Sequence, residues 1–284
     1  MAEIFDAQHK RLFAIAYRML GSVMDAEDIV QEAYLRWRDI DQTTVENPGA
    51  FLATMVTRLC IDHLRSARVQ REEYIGPWLP EPLVPHHTEP EESLKLAESL
   101  SMAFLVMLER LTPTERAVYL LREVFDYDYR EIAAVVNKSE PACRQIVSRV
   151  KARMVEERPR LPLTEAMPIV QQMVAAVRGG DVPGLMALLA PDVELTSDGG
   201  GKAKAATRPL YGRKLVATFL FVIHKNLPPD ANVQIQSING QPGVVVQHAG
   251  KVFTVGTLDI TEEGVKSIRL VLNPDKLKHV MNLN

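Results

Sequence analysis

The stretch SDGGGKAKAATRPLYGR, Ser197 to Arg213, sets three glycines ahead of a lysine, a composition able to cradle phosphate. A phosphate-binding P-loop needs a glycine, four residues, Gly-Lys, and then Ser or Thr to hold magnesium. Here the first glycine is missing, and Lys202 is followed by Ala203. Two of the fixed positions fail, so phosphate chemistry is not what these glycines serve. They either let the loop approach another protein segment closely or form an idle surface loop. Among the Asp and His residues of this part of the chain, Asp192, Asp198, His224 and His248, no pair has a spacing that demands catalysis. Cys60 and Cys143 are the only cysteines; they lie in helical patterns without metal-ligand spacing and read as reduced thiols. No metal or cofactor is expected.

A second set of residues points to nucleic acid. In KSEPACRQIVSRVKARM, Ile146, Val147 and Val150 would pack inward, leaving Arg144, Gln145, Ser148, Arg149 and Lys151 outward. Such a helix can enter the major groove, where Arg reads guanine and Gln reads adenine edges. A three-residue turn, Asn137-Lys138-Ser139, joins it to Tyr129–Val136 with helix-turn-helix spacing, and Ser139 can cap it. Further upstream, Arg58, Asp62 and Arg65 share one side of a long helix, with Arg68 close by. That side could touch phosphates or be a solvated helix end.

The elements that must position these residues are helical up to about residue 158. Phe5 to Leu20 is an amphipathic helix stopped by Gly21, and Asp25 is expected to cap a second one, DAEDIVQEAYLRWR. Asn47-Pro48 opens a long helix to about Ala67. Gly76 to Pro90 holds five of the eighteen prolines and reads as a linker. A helix follows over roughly 91–110, then Thr112-Pro113-Thr114-Glu115, a capping box that starts another. Past Pro159, helices near 164–178 and 181–190 precede strand-like VELTSD, the glycine loop, a helix from Gly212 to Lys225, and four β-rich runs. Helices followed by a strand meander make an α+β domain.

The length of 284 residues fits more than one domain, and the composition, 46% hydrophobic and 24% charged, is that of a soluble globular protein. No apolar run approaches the ~18 residues that cross a bilayer, and the charged first twenty residues argue against a secretory signal. Residues 58–71 carry four Arg against one Asp, and 138–153 carry five Lys+Arg against one Glu. Between them, 72–101 hold seven Glu and a single Lys. Two basic patches around an acidic linker are either two nucleic-acid contacts or two solvated helix faces.

DAEDIVQEAYLRW, NPGAFLATMVTRLCIDHLRSAR and LTPTERAVYLLREVFDYDYREIAAVVNKSEPACRQIVSRVKARM resemble the extracytoplasmic-function sigma factors of the sigma-70 family, over about residues 5–158. The resemblance implies two all-α sigma domains. Domain two, 1–72, would bind the clamp helices of the polymerase β′ subunit and read the −10 element. Domain four, 101–158, would place its helix-turn-helix on the −35 element and touch the β flap. By position, Asp28, Gln31, Glu32 and Arg36 become candidate polymerase contacts. Asn47 and its loop become candidates for holding a flipped base, beside Arg58, Asp62, Arg65 and Arg68. Ser139, Arg144, Gln145, Ser148, Arg149 and Lys151 become the −35 candidates. The linker, 73–100, would lie in the polymerase channel.

PWLPEPL in the linker, SDGGGK and NPDKL resemble the sigma-factor subgroup, including the SigJ type, that carries a fused SnoaL-like domain. Residues 160–284 are then expected to have the α+β cone of nuclear-transport-factor-2-like proteins. The resemblance makes Trp78, Leu79, Pro80, Asp198, Gly199, Gly200, Gly201, Lys202, Asn273, Pro274, Asp275, Lys276 and Leu277 candidate interdomain contacts, with Trp78 as buried anchor. Lys202, Lys204 and Lys276 would face acidic linker residues, and the domain would dock on domain two and the linker. The expected protein is a cytoplasmic, non-enzymatic initiation subunit, with core RNA polymerase and promoter DNA as partners and no membrane. Its cone, near Leu188, Leu195, Phe219, Val222, Ile223 and Phe253, could hold a small apolar ligand. The rivals are a helix-turn-helix regulator with a ligand-sensing SnoaL-like domain, and a SnoaL-type cyclase fused to a DNA-binding module.

Overall fold

The computed structural model describes residues 2–72, 74–84, 99–153 and 160–282, with backbone alone for 2, 67–72 and 281–282. Two compact units divide the chain: 1–73 with 93–156, and 74–92 with 157–284.

The first unit is helical. Helix α1, Ala2–Leu20, buries Phe5, Leu12, Ile15, Ala16 and Met19 along one stripe. It stops where Gly21 takes a φ of 67°, a conformation glycine adopts without a Cβ clash. That stop leaves Ser22 extended, and its hydroxyl accepts from the Asp25 amide at 3.1 Å. The cap of α2, Val23–Arg38, is therefore Ser22 rather than Asp25, which sits in the first turn where the helix dipole favours it. Asn47 caps α3, Pro48–Glu72, its side-chain oxygen accepting from Ala50 N at 3.1 Å.

Past 98 the chain forms α4, Met102–Leu108, capped by Ser101, and α5, Pro113–Glu123, with the Thr112/Glu115 capping box complete. Of the helix expected over 91–110, residues 91–98 lie outside the described residues. Helix α6, Tyr129–Val136, ends at Asn137 in the left-handed region, φ 53°, and α7, Glu140–Arg153, follows. Cys143, Ile146, Val147 and Val150 are the buried side of α7.

The second unit is α+β. Helices α8, Leu163–Gly179, and α9, Val182–Leu188, lead into β1, Leu189–Asp198. The short β2, Leu210–Tyr211, precedes α10, Arg213–Lys225. Strands β3, Asn232–Ile238, β4, Gln241–His248, β5, Lys251–Thr261, and β6, Gly264–Val271, complete one six-stranded sheet. Its order is β2-β1-β6-β5-β4-β3, with β1 and β6 parallel and every other pair antiparallel. Val193, Leu195, Leu258, Ile260 and Ile268 face α8, α9 and α10 through Val170, Leu185 and Val216. Side chains alternate along a strand, so Asp198, three residues past Leu195, points to the other side. A 3-10 segment, Pro274–Asn282, follows β6 and buries Leu277 and Val280.

Candidate functional site

On α7 the buried side fixes the exposed one. Gln145, Ser148 and Arg149 are exposed, and no described residue engages their side chains in a hydrogen bond or ion pair. Arg144 is also exposed, but its guanidinium lies 4.2 Å over the Tyr129 ring and 3.3 Å from Glu140. Stacking of this kind holds the fork in a fixed direction. Lys151 turns back to Glu123 at 2.7 Å. Ser139 accepts weakly from Ala142 N at 3.4 Å, at the start of the helix.

In the first three helices, Asp28, Gln31, Glu32 and Arg36 line the exposed side of α2, with Glu32 and Arg36 paired one turn apart. The loop before Asn47 is held by Asp41, which accepts from the Thr43 hydroxyl at 2.6 Å and its amide at 3.1 Å. Those two bonds keep the Asp41 carboxyl below the usual carboxylate range. Asp62 and Arg65 pair with each other at 3.2 Å, and the Arg68 side chain lies outside the described residues. Arg58 does something sequence reasoning did not anticipate. It donates to the backbone carbonyls of Val135 at 3.0 Å and Ala134 at 2.7 Å, two of the open acceptors at the end of α6.

In the second unit, Asp198 is fully buried and collects donors from three residues in two distant segments. Its carboxylate accepts from the Tyr74 hydroxyl at 2.5 Å, the Leu79 amide at 2.8 Å and Lys276 Nζ at 2.7 Å. Lys276 also donates to the Leu79 carbonyl at 2.5 Å, and its ammonium lies 4.0 Å from the Trp78 ring centre. A buried charge pair is tolerated only with its remaining bonds satisfied, and these bonds satisfy them. Further along, the Leu83 amide donates to Asn239 Oδ1 at 2.8 Å and the Asn239 amide to the Leu83 carbonyl at 2.9 Å. His279 Nε2 donates to the Pro82 carbonyl at 2.7 Å. Residues 74–84 are thus a strap tied into this unit.

The three glycines sit beside that strap. A Cβ on Gly200, whose φ is 54°, would run into the Asn273 amide and come within 2.9 Å of the Tyr74 hydroxyl. One on Gly199 would strike the Ala203 carbonyl. Lys202 pairs with Asp275; of the linker acids it was expected to face, all but Glu81 lie outside the described residues. Leu79, 1% exposed, is the buried anchor, and Trp78 is only half-buried. An extended segment alternates its faces, and the two backbone bonds of Leu79 turn that residue inward. Pro80 and Leu277 are buried, and Asn273 donates to the Tyr74 hydroxyl at 2.9 Å. Tyr74, Asn239 and His279 were missed; Asn239-Gly240, both at positive φ in a two-residue hairpin turn, was the one available signal.

Of the polar groups suspected of chemistry, Asp198 points away from the helix-facing interior. Asp192 pairs with Lys266, and His248 with Asp230 at 3.0 Å beside the β4–β5 turn. Leu195 is in that interior, with Leu188, Phe219 and Ile223 packed against it, while Val222 is 50% exposed. Phe253 instead stands near His248, 6.4 Å between ring centres. A dent bounded by Asp230, Asn232, Gln247, His248, Ala249 and Gly250 lies at the turn.

Models of known families match twice: sigma-70 region 2 over residues 4–69, and sigma-70 region 4 over residues 101–154. The chain is 36% identical to the ECF RNA polymerase sigma factor SigJ of Mycobacterium tuberculosis, over 96% of this chain and 91% of that protein. It is 28% identical to a probable ECF RNA polymerase sigma factor, SigI, of the same species, over 95% and 92%. The crystal structure of the Mycobacterium tuberculosis extracytoplasmic function sigma factor SigJ superposes with a TM-score of 0.79 at 34% identity, covering 98% of both chains.

Proposed function

This chain belongs to the extracytoplasmic-function sigma factors, with a SnoaL-like domain fused behind the two sigma domains, and from that premise we propose how its parts divide the work. As a sigma factor it is an initiation subunit and not an enzyme; its partners are core RNA polymerase and promoter DNA. It works in the cytoplasm, where both are found; no helix among the described residues is long and apolar enough to cross a membrane.

The observation that carries the reading is the two-sidedness of α7. Gln145, Ser148 and Arg149 are exposed without partners among the described residues, directly opposite the buried Ile146, Val147 and Val150. This face, with Arg144 steered by Tyr129, reads the −35 element; Ser139 starts the helix toward the backbone. The Asn47 loop, stiffened by Asp41, holds an unstacked −10 base, with Arg65 and Arg68 on the backbone beside it and Asp62 orienting Arg65. Asp28, Gln31, Glu32 and Arg36 grip the β′ clamp helices, and domain four touches the β flap. The SnoaL-like domain regulates by holding the strap. With 74–84 tied to Asp198, Lys276 and Asn239, fewer linker residues are left to span the two sigma domains.

In vitro transcription with core polymerase and a promoter library tests this. The Arg144/Gln145/Arg149 triple alanine variant should lose −35 preference, and charge reversal at Asp28 and Glu32 should weaken core binding without unfolding the chain. Normal initiation by the first variant, or normal core affinity of the second, sinks the corresponding assignment.

A further inference from the structure

His279 holds the strap by one ring nitrogen and leaves the other without a bond. The Pro82 carbonyl can only accept, so the 2.7 Å contact places a proton on Nε2. In the neutral ring Nδ1 is then a bare acceptor. It is buried, and no described residue bonds it. Glu81 Oε2, itself an acceptor when ionised, lies 3.9 Å away, and the glutamate is only 7% exposed. Two acceptors do not attract. One added proton turns the pair into a charge-assisted hydrogen bond, about twice as strong as a neutral one. Whether that proton is drawn on the ring or on the carboxyl, the bond needs it, and the neutral ring beside an ionised carboxylate lacks it.

The other charged groups packed around the 3-10 segment are engaged elsewhere. Within it, Lys276 is held by Asp198 and the Leu79 carbonyl. Lys278 pairs with Asp275 at 2.9 Å, and Asp275 also takes Lys202. On β5, the strand packed against the segment, Asp259 is held by Arg160 and Arg269, and the Lys251 ammonium lies 5.8 Å over the Phe253 ring. Glu81 is therefore the carboxylate placed to meet a protonated Nδ1.

We propose that His279 and Glu81 form a proton-operated catch on the strap. Uptake of one proton closes the pair and tightens 74–84 onto the second unit; its loss loosens the hold. The sign follows from linkage. The held strap binds this proton more tightly than the released one, so the hold strengthens as pH falls and levels off on the alkaline side. A single proton can supply at most about ten-fold per pH unit. Histidine is the side chain whose charge ordinarily changes between pH 5 and 8, and the catch acts in that range. The inference rests on the proposed regulatory role of the strap. A tighter hold leaves fewer linker residues to span the sigma domains, so initiation should be restrained in acid.

Hydrogen exchange of the full chain reads the hold through the Leu79 and Leu83 amides, which bond to Asp198 and Asn239. Protection factors, corrected for the intrinsic pH dependence of exchange, should rise roughly three- to ten-fold from pH 8 to pH 6 in the wild type. His279→Gln keeps a donor for Pro82 and takes up no proton, so its protection should stay flat over that range. Glu81→Gln gives Nδ1 a permanent amide donor, and its protection should be high at both ends. Flat protection in the wild type overturns the catch. So does a wild-type slope in either variant. Initiation with core polymerase, wild type relative to His279→Gln at the two pH values, judges the regulatory role separately. A ratio that stays fixed while protection changes would leave the catch in place and remove the strap from regulation.

Discussion

Lys276 Nζ lies 2.7 Å from Asp198 Oδ2, with the lysine 7% exposed and the aspartate fully buried. Two segments far apart in sequence are joined here by a charge pair that water does not screen. The Leu79 amide and carbonyl bind the same two side chains, so the strap is held by its backbone as well as by its leucine. Removing either charge leaves the other buried without compensation.

Asp198→Asn should therefore destabilise the second unit by about 3–5 kcal/mol, and Lys276→Met by a similar amount. The double variant should recover a substantial part of the loss, because no lone charge remains. Denaturant unfolding of the three variants measures it; strictly additive losses would show that the two residues do not act as a pair.

Tyr74 gives the strap a pH dependence. Burial, and then its hydrogen bond to the Asp198 carboxylate, push the phenol well above its ordinary value. A phenol with a raised folded pKa holds its proton more tightly folded than unfolded. Its contribution is whole below the unfolded value of ~10 and is lost as pH rises past it. The second unit should lose stability progressively above pH ~10, and Tyr74→Phe should flatten that slope while costing about 1 kcal/mol below it. Trp78 emission during thermal unfolding, in a Trp37→Phe background, isolates the strap. An unchanged slope in Tyr74→Phe would remove Tyr74 from the account.

How much of this was legible in the sequence depended on whether the cause was local. The capping box of Thr112 and Glu115, the Asn47 cap and the buried stripe of α7 are short-range patterns, and the chain folds as they dictate. Ser22 and Asp25 are equally good caps; the choice fell to Gly21, whose positive φ ends α1 one residue earlier. Trp78 is expected as anchor because it is aromatic, but the inward residue is set by which backbone groups pair with Asp198 and Lys276, and no local pattern encodes that. Arg58 reads as a phosphate contact or a solvated helix end, and Arg116 draws no reading at all. Only the fold brings Val135 and Met19 to them across 77 and 97 residues. Proline-rich composition marked Gly76 to Pro90 as irregular, and could not say which unit the described part of it joins.

The glycine run should be unequally tolerant. At Gly200 a Cβ meets the Asn273 amide and the Tyr74 hydroxyl, both held by their own hydrogen bonds. At Gly201, φ 70°, it meets Ile75 Cδ1 at 3.0 Å, the far end of a flexible and exposed side chain. Both substitutions carry the left-handed backbone penalty of roughly 1–2 kcal/mol. Gly200→Ala should cost at least about 1 kcal/mol more than Gly201→Ala because the polar cluster must shift. Chemical denaturation of the two single variants decides it, and equal losses would refute the close-approach explanation of the loop.

The outer face of α7 divides into residues that should discriminate sequence and residues that should not. Arg149 and Gln145 are exposed, and no described residue engages their side chains, which suits base edges; losing either should cost ~1–3 kcal/mol at one promoter position and relax preference there. Lys151 is drawn to Glu123, and an exposed pair of this sort contributes only ~0–1 kcal/mol. Lys151→Ala should accordingly weaken binding slightly and evenly across sequences, with a shallower salt dependence. Arg144 is intermediate: its stacking on Tyr129 orients the guanidinium, so Tyr129→Ala should mimic part of the Arg144→Ala defect without touching DNA. Initiation rates on a library varied through the −35 element, measured at two salt concentrations, separate the classes. A position-specific defect in Lys151→Ala, or a uniform one in Arg149→Ala, would reverse the assignment of that residue.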